Sequence, residues 1–346
     1  MVPGLYFSHP ACLEHDTGEH PERADRIRAI ERALAGRDWL GWERREAPAA
    51  GHEALTAVHA DAYVERVRTL SEGERSGDEP AGRGVGGMLA EDTVVGPGSY
   101  GAAVRAAGGA CAMVDGLLAG DAAVGFCATR PPGHHARHDT TSGFCLFNNV
   151  AVAARHAIDA HGLRRVFILD WDVHHGDGTH DIFRATDAVL FASVHQEGIF
   201  PGTGQLHDVG ARAGVGFAIN LPVPKGSDEE PWLSLVEHIA IPAAMEFEPE
   251  LVLISAGYDA HADDEHGDCR LEASSFAEMA RHVRALGEHL RAPVGAVLEG
   301  GYALDALAES VCATMEALAG DRPPDSIAPD HVTARAASHI GHHWQL

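Results

Sequence analysis

Basic residues are scarce in this chain: 26 Lys and Arg stand against 51 Asp and Glu, a formal net charge of −25. That balance argues against nucleic acid as a partner, because neutralising phosphates needs a basic face. It is compatible with cationic ligands, and more readily with a plain, well-solvated acidic surface. Cysteine is sparse too. The six cysteines (Cys12, Cys111, Cys127, Cys145, Cys269 and Cys312) show no C-x-x-C spacing and read as reduced, mostly core residues of a cytoplasmic protein. No uncharged apolar run reaches 18 residues, so no membrane-spanning helix and no membrane partner is expected. The first eight residues lack the basic region and long apolar stretch of a signal peptide.

What is present is an ordinary globular composition, 45% hydrophobic and 22% charged, enough for a sizeable core. Apolar strand-like runs at 4–8, 122–129, 165–170, 188–194, 216–221, 251–256 and 294–299 alternate with helical patterns. The helical patterns cover 22–35, 99–119, 148–160, 231–246, 274–292 and 304–319. Such alternation predicts an α/β fold, a mainly parallel sheet with helices on both faces. Neither an internal repeat nor a dividing linker is visible, so residues 1–346 are expected to form a single domain, with 320–346 left as a tail. The Gly- and charge-rich stretch 71–87 reads as a surface loop. It contains Gly82-Arg83-Gly84-Val85-Gly86-Gly87, formally G-x-G-x-x-G, but no strand precedes it and a dinucleotide site is rejected. Among 24 histidines, His339, His342 and His343 near the C-terminus are read as incidental.

Chemistry gathers just after the expected strands. The segment from Asp170 to Gly178, Asp-Trp-Asp-Val-His-His-Gly-Asp-Gly, follows the apolar run Val166 to Leu169. Buried carboxylates are costly unless a cation or hydrogen bonds satisfy them. Asp172 and His174 are two apart, so an extended backbone projects both to one side, with Asp170 pointing the same way. Four more clusters share this placement: Arg130 to His135, Ser193-Val194-His195, Ser255 to Asp259, and Glu299 to Tyr302. In open α/β sheets the ligand site lies at the carboxyl ends of the strands, so five clusters there can converge on one pocket. Asp172, His174 and Asp259 make a three-ligand set with an open position, fitting Zn²⁺, with Fe²⁺ as the alternative for so hard a donor set. The tandem His134-His135, in a Pro/Gly-rich loop, is suited to acid–base work, and Asp170 and Asp177 are candidates to orient it. Tyr302, after two glycines, can donate to a developing oxyanion.

The combination resembles the zinc-dependent histone deacetylases and acetylpolyamine amidohydrolases. The residues that carry the resemblance are the segment Asp170–Gly178, Pro131-Pro132-Gly133-His134-His135, Gly143 to Asn149, Phe200 to Gly204, Ser255 to Asp259 and Glu299 to Tyr302. It runs from about Tyr6 to about Leu318, and His20-Pro21-Glu22-Arg23 with Leu298 to Tyr302 looks more like the class II and bacterial branch. The resemblance implies an arginase-like fold and deacetylation of an N-acetylated amine. It implies zinc on Asp172, His174 and Asp259, and His134 and His135 paired with Asp170 and Asp177, His135 being the general base. It gives Tyr302 the acetyl carbonyl, and makes Phe144, Phe200 and Gly143 the walls of a substrate channel. A structural K⁺ would match Asp170, Asp172, His174, Ser193 and Val194, and a second alkali-metal site Phe183, Thr186 and Val189. Cys145 reads as packing near the channel.

A ureohydrolase with two manganese ions is the nearest rival, but Gly176 stands where its second carboxylate is expected, and His261 follows Asp259-Ala260. A non-catalytic protein that binds a small ligand is the other rival. The position that guards the channel in polyamine-selective relatives corresponds to His266, with Glu265 and Asp268 nearby. That acidic loop tilts the expected substrate toward an acetylated small amine rather than an acetyl-lysine peptide. A homo-oligomer, dimer or tetramer, is compatible with the family.

Overall fold

The computed structural model describes residues 2–73 and 87–346. Of the expected loop at 71–87, residues 74–86 lie outside the described residues, as does most of the rejected glycine motif, while its ends are corrected: Ser71 and Glu72 finish helix Asp61–Glu72 and Gly87 opens a strand. Ten strands are described. They are β1 (Leu5–Ser8), β2 (Glu43–Glu46), β3 (Gly87–Ala90), β4 (Thr93–Val95), β5 (Val124–Cys127), β6 (Val166–Asp170), β7 (Val189–Gln196), β8 (Ala218–Val223), β9 (Leu251–Ala256) and β10 (Val294–Leu298). Eight of them form one sheet in the order β2-β1-β5-β10-β9-β6-β7-β8, and every neighbouring pair is parallel. β3 and β4 make a separate antiparallel hairpin.

The central strands are buried along their whole length and mostly apolar, because both faces of the sheet are covered. Successive side chains alternate between the faces. Phe167, Leu169, Leu190, Ala192, Val252 and Ile254 join a core beneath the helices Asp25–Ala35, Ala273–Leu290 and Leu304–Ala319. Val166, Ile168, Val189, Phe191, Leu251 and Leu253 point into the opposite core, under Ser99–Leu118 and Asn149–His161. This is the α/β arrangement read from the sequence. Helix Ser99–Leu118 is long and apolar enough to cross a membrane by length and composition, but 72% of its apolar stretch is buried inside the fold.

Elements without an apolar pattern were not expected. β2 is Glu43-Arg44-Arg45-Glu46, an edge strand whose charges discourage further pairing. The tail beyond 320 is also built in. Helix His331–Ile340 buries Val332, Ala336 and Ile340, and Trp344 donates its indole N–H to the Gly216 carbonyl at 2.7 Å.

Parallel pairing brings the carboxyl ends of all eight strands to one edge. β5, β10, β9 and β6 are consecutive in the sheet, so the segments after them, carrying His134, Tyr302, Asp259 and Asp172, leave side by side.

Candidate metal centre and substrate channel

After Asp170 the chain bends instead of continuing as an extended strand, which corrects the geometry expected from the sequence. The bend is fixed by carboxylates that accept backbone N–H groups. Asp170 Oδ1 takes Asp172 N (3.0 Å), Asp172 Oδ1 takes His174 N (2.9 Å), and Asp259 Oδ1 takes Val173 N (2.9 Å). Asp172 Oδ2 also accepts Gly300 N at 2.9 Å. His174 Nδ1 then stands 3.0 Å from Asp172 Oδ1 and 3.2 Å from Asp259 Oδ2. The carboxylates of Asp172 and Asp259 and this imidazole converge on one point. Neighbouring segments approach closely enough that a Cβ on Gly257 would lie 2.0 Å from Asp172 Oδ2, and one on Gly300 2.2 Å from Asp259 Oδ2.

The donor set fits a divalent cation. Asp259 Oδ2 is buried and makes no well-aligned hydrogen bond, its one near neighbour being the His174 imidazole at 3.2 Å, an acceptor of the kind a cation would complete. Burial opposes protonation of His174, yet Asp172 and Asp259 outweigh it and push the imidazole up to about 10. The two carboxylates thus draw positive charge into the site.

Two His–Asp pairs flank this point. His134 Nδ1 lies 2.9 Å from Asp170 Oδ2, and His135 Nδ1 lies 2.6 Å from Asp177 Oδ1. Asp177, the first residue of helix Asp177–Phe183, is held on its other oxygen by Arg137 at 2.6 Å. The two imidazoles diverge in charge. Burial, reinforced by the neighbouring His134, pushes His135 down to about 4. For His134 burial is opposed and exceeded by Asp172 and Asp170, which raise it well above the usual value. The backbone of the pair is set by Glu299, whose Oε2 accepts Gly133 N (2.7 Å) and His134 N (3.1 Å). Burial pushes Glu299 up to about 7.

A cavity of about 190 Å³ leads to these groups. Its lining includes Asp92, His134, His135, Gly143, Phe144, His174, Phe200, His266 and Tyr302. Phe144 and Phe200 form its walls, with the Phe200 ring 5.0 Å from His135 and the Phe144 ring 5.7 Å from Tyr302. Phe144 has φ 66°, a left-handed conformation that costs a bulky side chain energy. The β3–β4 hairpin offsets that cost, as Asp92 Oδ2 accepts Gly143 N at 2.8 Å and Thr93 Oγ1 accepts Phe144 N at 3.2 Å. Tyr302 is anchored from behind. Asp264 Oδ2 accepts both Tyr302 N (2.5 Å) and Ala303 N (3.0 Å), and the Arg26 guanidinium lies 4.9 Å over the phenol ring.

Residues 20–318 match the histone deacetylase domain family. The chain belongs to that family. It is 38% identical to a histone deacetylase-like amidohydrolase of Pseudomonas aeruginosa, over 92% of this chain and 80% of the relative. Histone deacetylase 14, chloroplastic, of Arabidopsis thaliana is 36% identical over 94% of this chain and 78% of its own length. The human polyamine deacetylase HDAC10 is 38% identical, over 94% of this chain but 47% of the larger relative. The crystal structure of the HDA15 HD domain superposes with a TM-score of 0.88 at 31% identity, covering 99% of this chain and 95% of that one.

In this histone deacetylase-family chain, four of the five clusters read from the sequence meet at the channel. The fifth does not. Ser193, Val194 and His195 lie inside β7 rather than beyond it, and His195 is buried against the Gly204 carbonyl at 2.9 Å. Ser193 pairs in register with Asp170, while Phe183, Thr186 and Val189 surround the turn after helix Asp177–Phe183. His266 lies at the channel as expected, its ring 4.3 Å from Tyr302. Glu265 lines the adjoining rim cavity of about 670 Å³ with Glu19 and Asp263. Asp268 turns away from the channel, its carboxylate bonded to Gln196 and Lys225 at 2.8 Å each. Asp92, Asp264 and Arg26 went unread in the sequence. Each looks like an ordinary surface charge, and only long-range folding brings it to the site.

Proposed function

We propose that this chain is a metal-dependent deacetylase that hydrolyses the amide of an N-acetylated amine and releases acetate. The observation that carries this reading is the convergence of Asp172, His174 and the buried Asp259 Oδ2 at the foot of a narrow aromatic-walled channel. Asp172, His174 and Asp259 would hold Zn²⁺, with Fe²⁺ the alternative. When bound, the cation supplies the charge that polarises an amide carbonyl and acidifies water.

The chain's own groups do the remainder. His135 is neutral near pH 7 and takes a proton on Nε2, because Asp177 occupies Nδ1. His134, paired through Nδ1 with Asp170, gives a proton from Nε2 to the departing amine as the C–N bond breaks, and the proton held on His135 then restores the pair. Tyr302 donates a hydrogen bond to the acyl oxygen as negative charge develops. No acyl-enzyme is formed. Cys145 is buried, and burial raises its thiol well above the usual range, so it is no nucleophile. K⁺ would bind at backbone carbonyls around Asp170 and Ser193, where it would steady the bend.

The acidic rim of Glu19, Asp263 and Glu265 favours a cationic acetylated small amine over an acetyl-lysine peptide. The two-metal ureohydrolase reading is not favoured. A side chain at Gly176 would begin 2.1 Å from Asp170 Oδ2, leaving no room for a second carboxylate. The test is acetate release from acetylputrescine, acetylspermidine and an acetyl-lysine peptide by protein stripped of metal and then reloaded with Zn²⁺. Turnover should require the metal and be highest on the polyamines. Tight metal binding without hydrolysis of any of the three would favour the non-catalytic reading, and urea release from a guanidinium substrate the ureohydrolase.

A further inference from the structure

A second cluster of ligating side chains lies away from the channel, where helix Ser99–Leu118 crosses helix Asn149–His161. Asp115 Oδ1 lies 2.6 Å from His156 Nε2 and 2.7 Å from His161 Nε2. Asp115 and both histidines stand near the C-terminal ends of their helices. These helices run back from the carboxyl edge of the sheet, so the cluster sits at the edge opposite the reaction site. It is accessible, with side-chain exposures of 52% for Asp115, 22% for His156 and 30% for His161.

The geometry exceeds what pinning two helices needs. His156 and His161 are five apart, roughly 140° around a regular helix, and so do not share a face. Yet their rings come within 5.3 Å at an interplanar angle of 82°. Two hydrogen bonds to a carboxylate would be served as well by one imidazole on each oxygen. Here both Nε2 atoms aim at the same oxygen, so three ligand atoms, Asp115 Oδ1 and the two Nε2, gather within 4.8 Å of one another.

We propose that Asp115, His156 and His161 form a second transition-metal site, taking Zn²⁺ or a similar borderline divalent ion with water completing the shell. A tetrahedral site with ligands about 2.0–2.1 Å from the metal needs ligand atoms roughly 3.3 Å apart. The imidazoles therefore back off by about 0.6–0.7 Å, a movement these partly exposed side chains can make. The Nδ1 atoms then carry the ring protons. The bound ion ties together two helices of the same core, and it binds only when they are docked. This site does not depend on the deacetylase reading.

The experiment is calorimetric titration of Zn²⁺ into enzyme that already carries one Zn²⁺ per chain. Thermal unfolding is followed in parallel. Wild type should take up a second, saturable equivalent and unfold at higher temperature. His156→Gln, His161→Gln and Asp115→Asn retain hydrogen-bonding groups and should each weaken that equivalent about tenfold or more, abolishing the thermal shift. Acetate release should be unchanged in all three. The triple variant His339→Gln, His342→Gln, His343→Gln, which alters only the C-terminal histidines, should bind as wild type does. A missing second equivalent in wild type overturns the proposal, as does one that survives loss of both His156 and His161.

Discussion

Tyr302 and Asp264 act at the same place by different means, and substitution separates them. Tyr302 lines the channel, while the buried carboxylate of Asp264 holds the Tyr302 and Ala303 backbone N–H groups and also accepts His266 N at 3.0 Å. Under the proposed mechanism Tyr302→Phe removes one donor to the developing oxyanion, and it should lower kcat about 10²–10³-fold. Bound metal should be unchanged, since no ligand is touched. Asp264→Ala instead frees backbone donors that were satisfied, at a cost of about 1–3 kcal/mol. It loosens Tyr302 and His266 together, so kcat should fall and KM should rise. Steady-state acetate release, with metal content measured on each variant, separates the two. Wild-type kcat in Tyr302→Phe would remove the role assigned to the phenol.

At the scale of elements, the N-terminal segment is fastened to the sheet by charge. Arg130, just beyond β5, grips Glu22 with Nε and Nη2 at 2.7 and 2.6 Å and also reaches the Cys12 and His15 carbonyls at 2.8 and 2.6 Å. Burial raises the Glu22 carboxyl, but Arg130 outweighs it and lowers it to about 2, from an ordinary 4.5. A depressed carboxyl stabilises the fold above its ordinary value, and the benefit is lost as pH falls through the folded value. The difference corresponds to about 3 kcal/mol. Glu22→Gln should therefore flatten the dependence of unfolding free energy on pH between about 4.5 and 2, as read by denaturant melts. The tail supplies a second case. Trp344 packs its ring 5.4 Å from Phe217 and 6.2 Å from Phe247, and Trp344→Ala should cost about 3 kcal/mol in the same melts. Neither role was legible in the sequence. Glu22 sits in a motif, but nothing local says that its partner is Arg130. The tail offers one short amphipathic stretch whose apolar partners, Phe217 and Phe247 among them, are distant in the chain. The central strands were legible because burial on both faces makes them continuously apolar. The metal cluster was legible because Asp172 and His174 are neighbours in the chain. Asp92 was not, because it sits in the turn of a very short hairpin and nothing local says that the hairpin meets the backbone at Gly143.

For the whole molecule the dominant quantity is charge. A net −25 surrounds a channel whose rim adds Glu19, Asp263 and Glu265, with Arg23 the one arginine and no lysine among the residues lining the rim cavity. Arg23 lies 3.7 Å from Asp25, which offsets part of its charge. A field of one sign raises the local concentration of oppositely charged ligand and speeds its capture. The effect acts through solvent, so salt weakens it, the screening length falling from about 30 Å at 0.01 M to about 8 Å at 0.15 M. Binding should respond and chemistry should not, because the reacting groups are buried and unscreened. KM for acetylspermidine should therefore rise across that range of ionic strength while kcat holds. An uncharged N-acetylated amide of similar length should show little change in either constant. An equal rise in KM for both substrates would mean that salt acts on the protein rather than on attraction. The acidic rim would then have no part in choosing the amine.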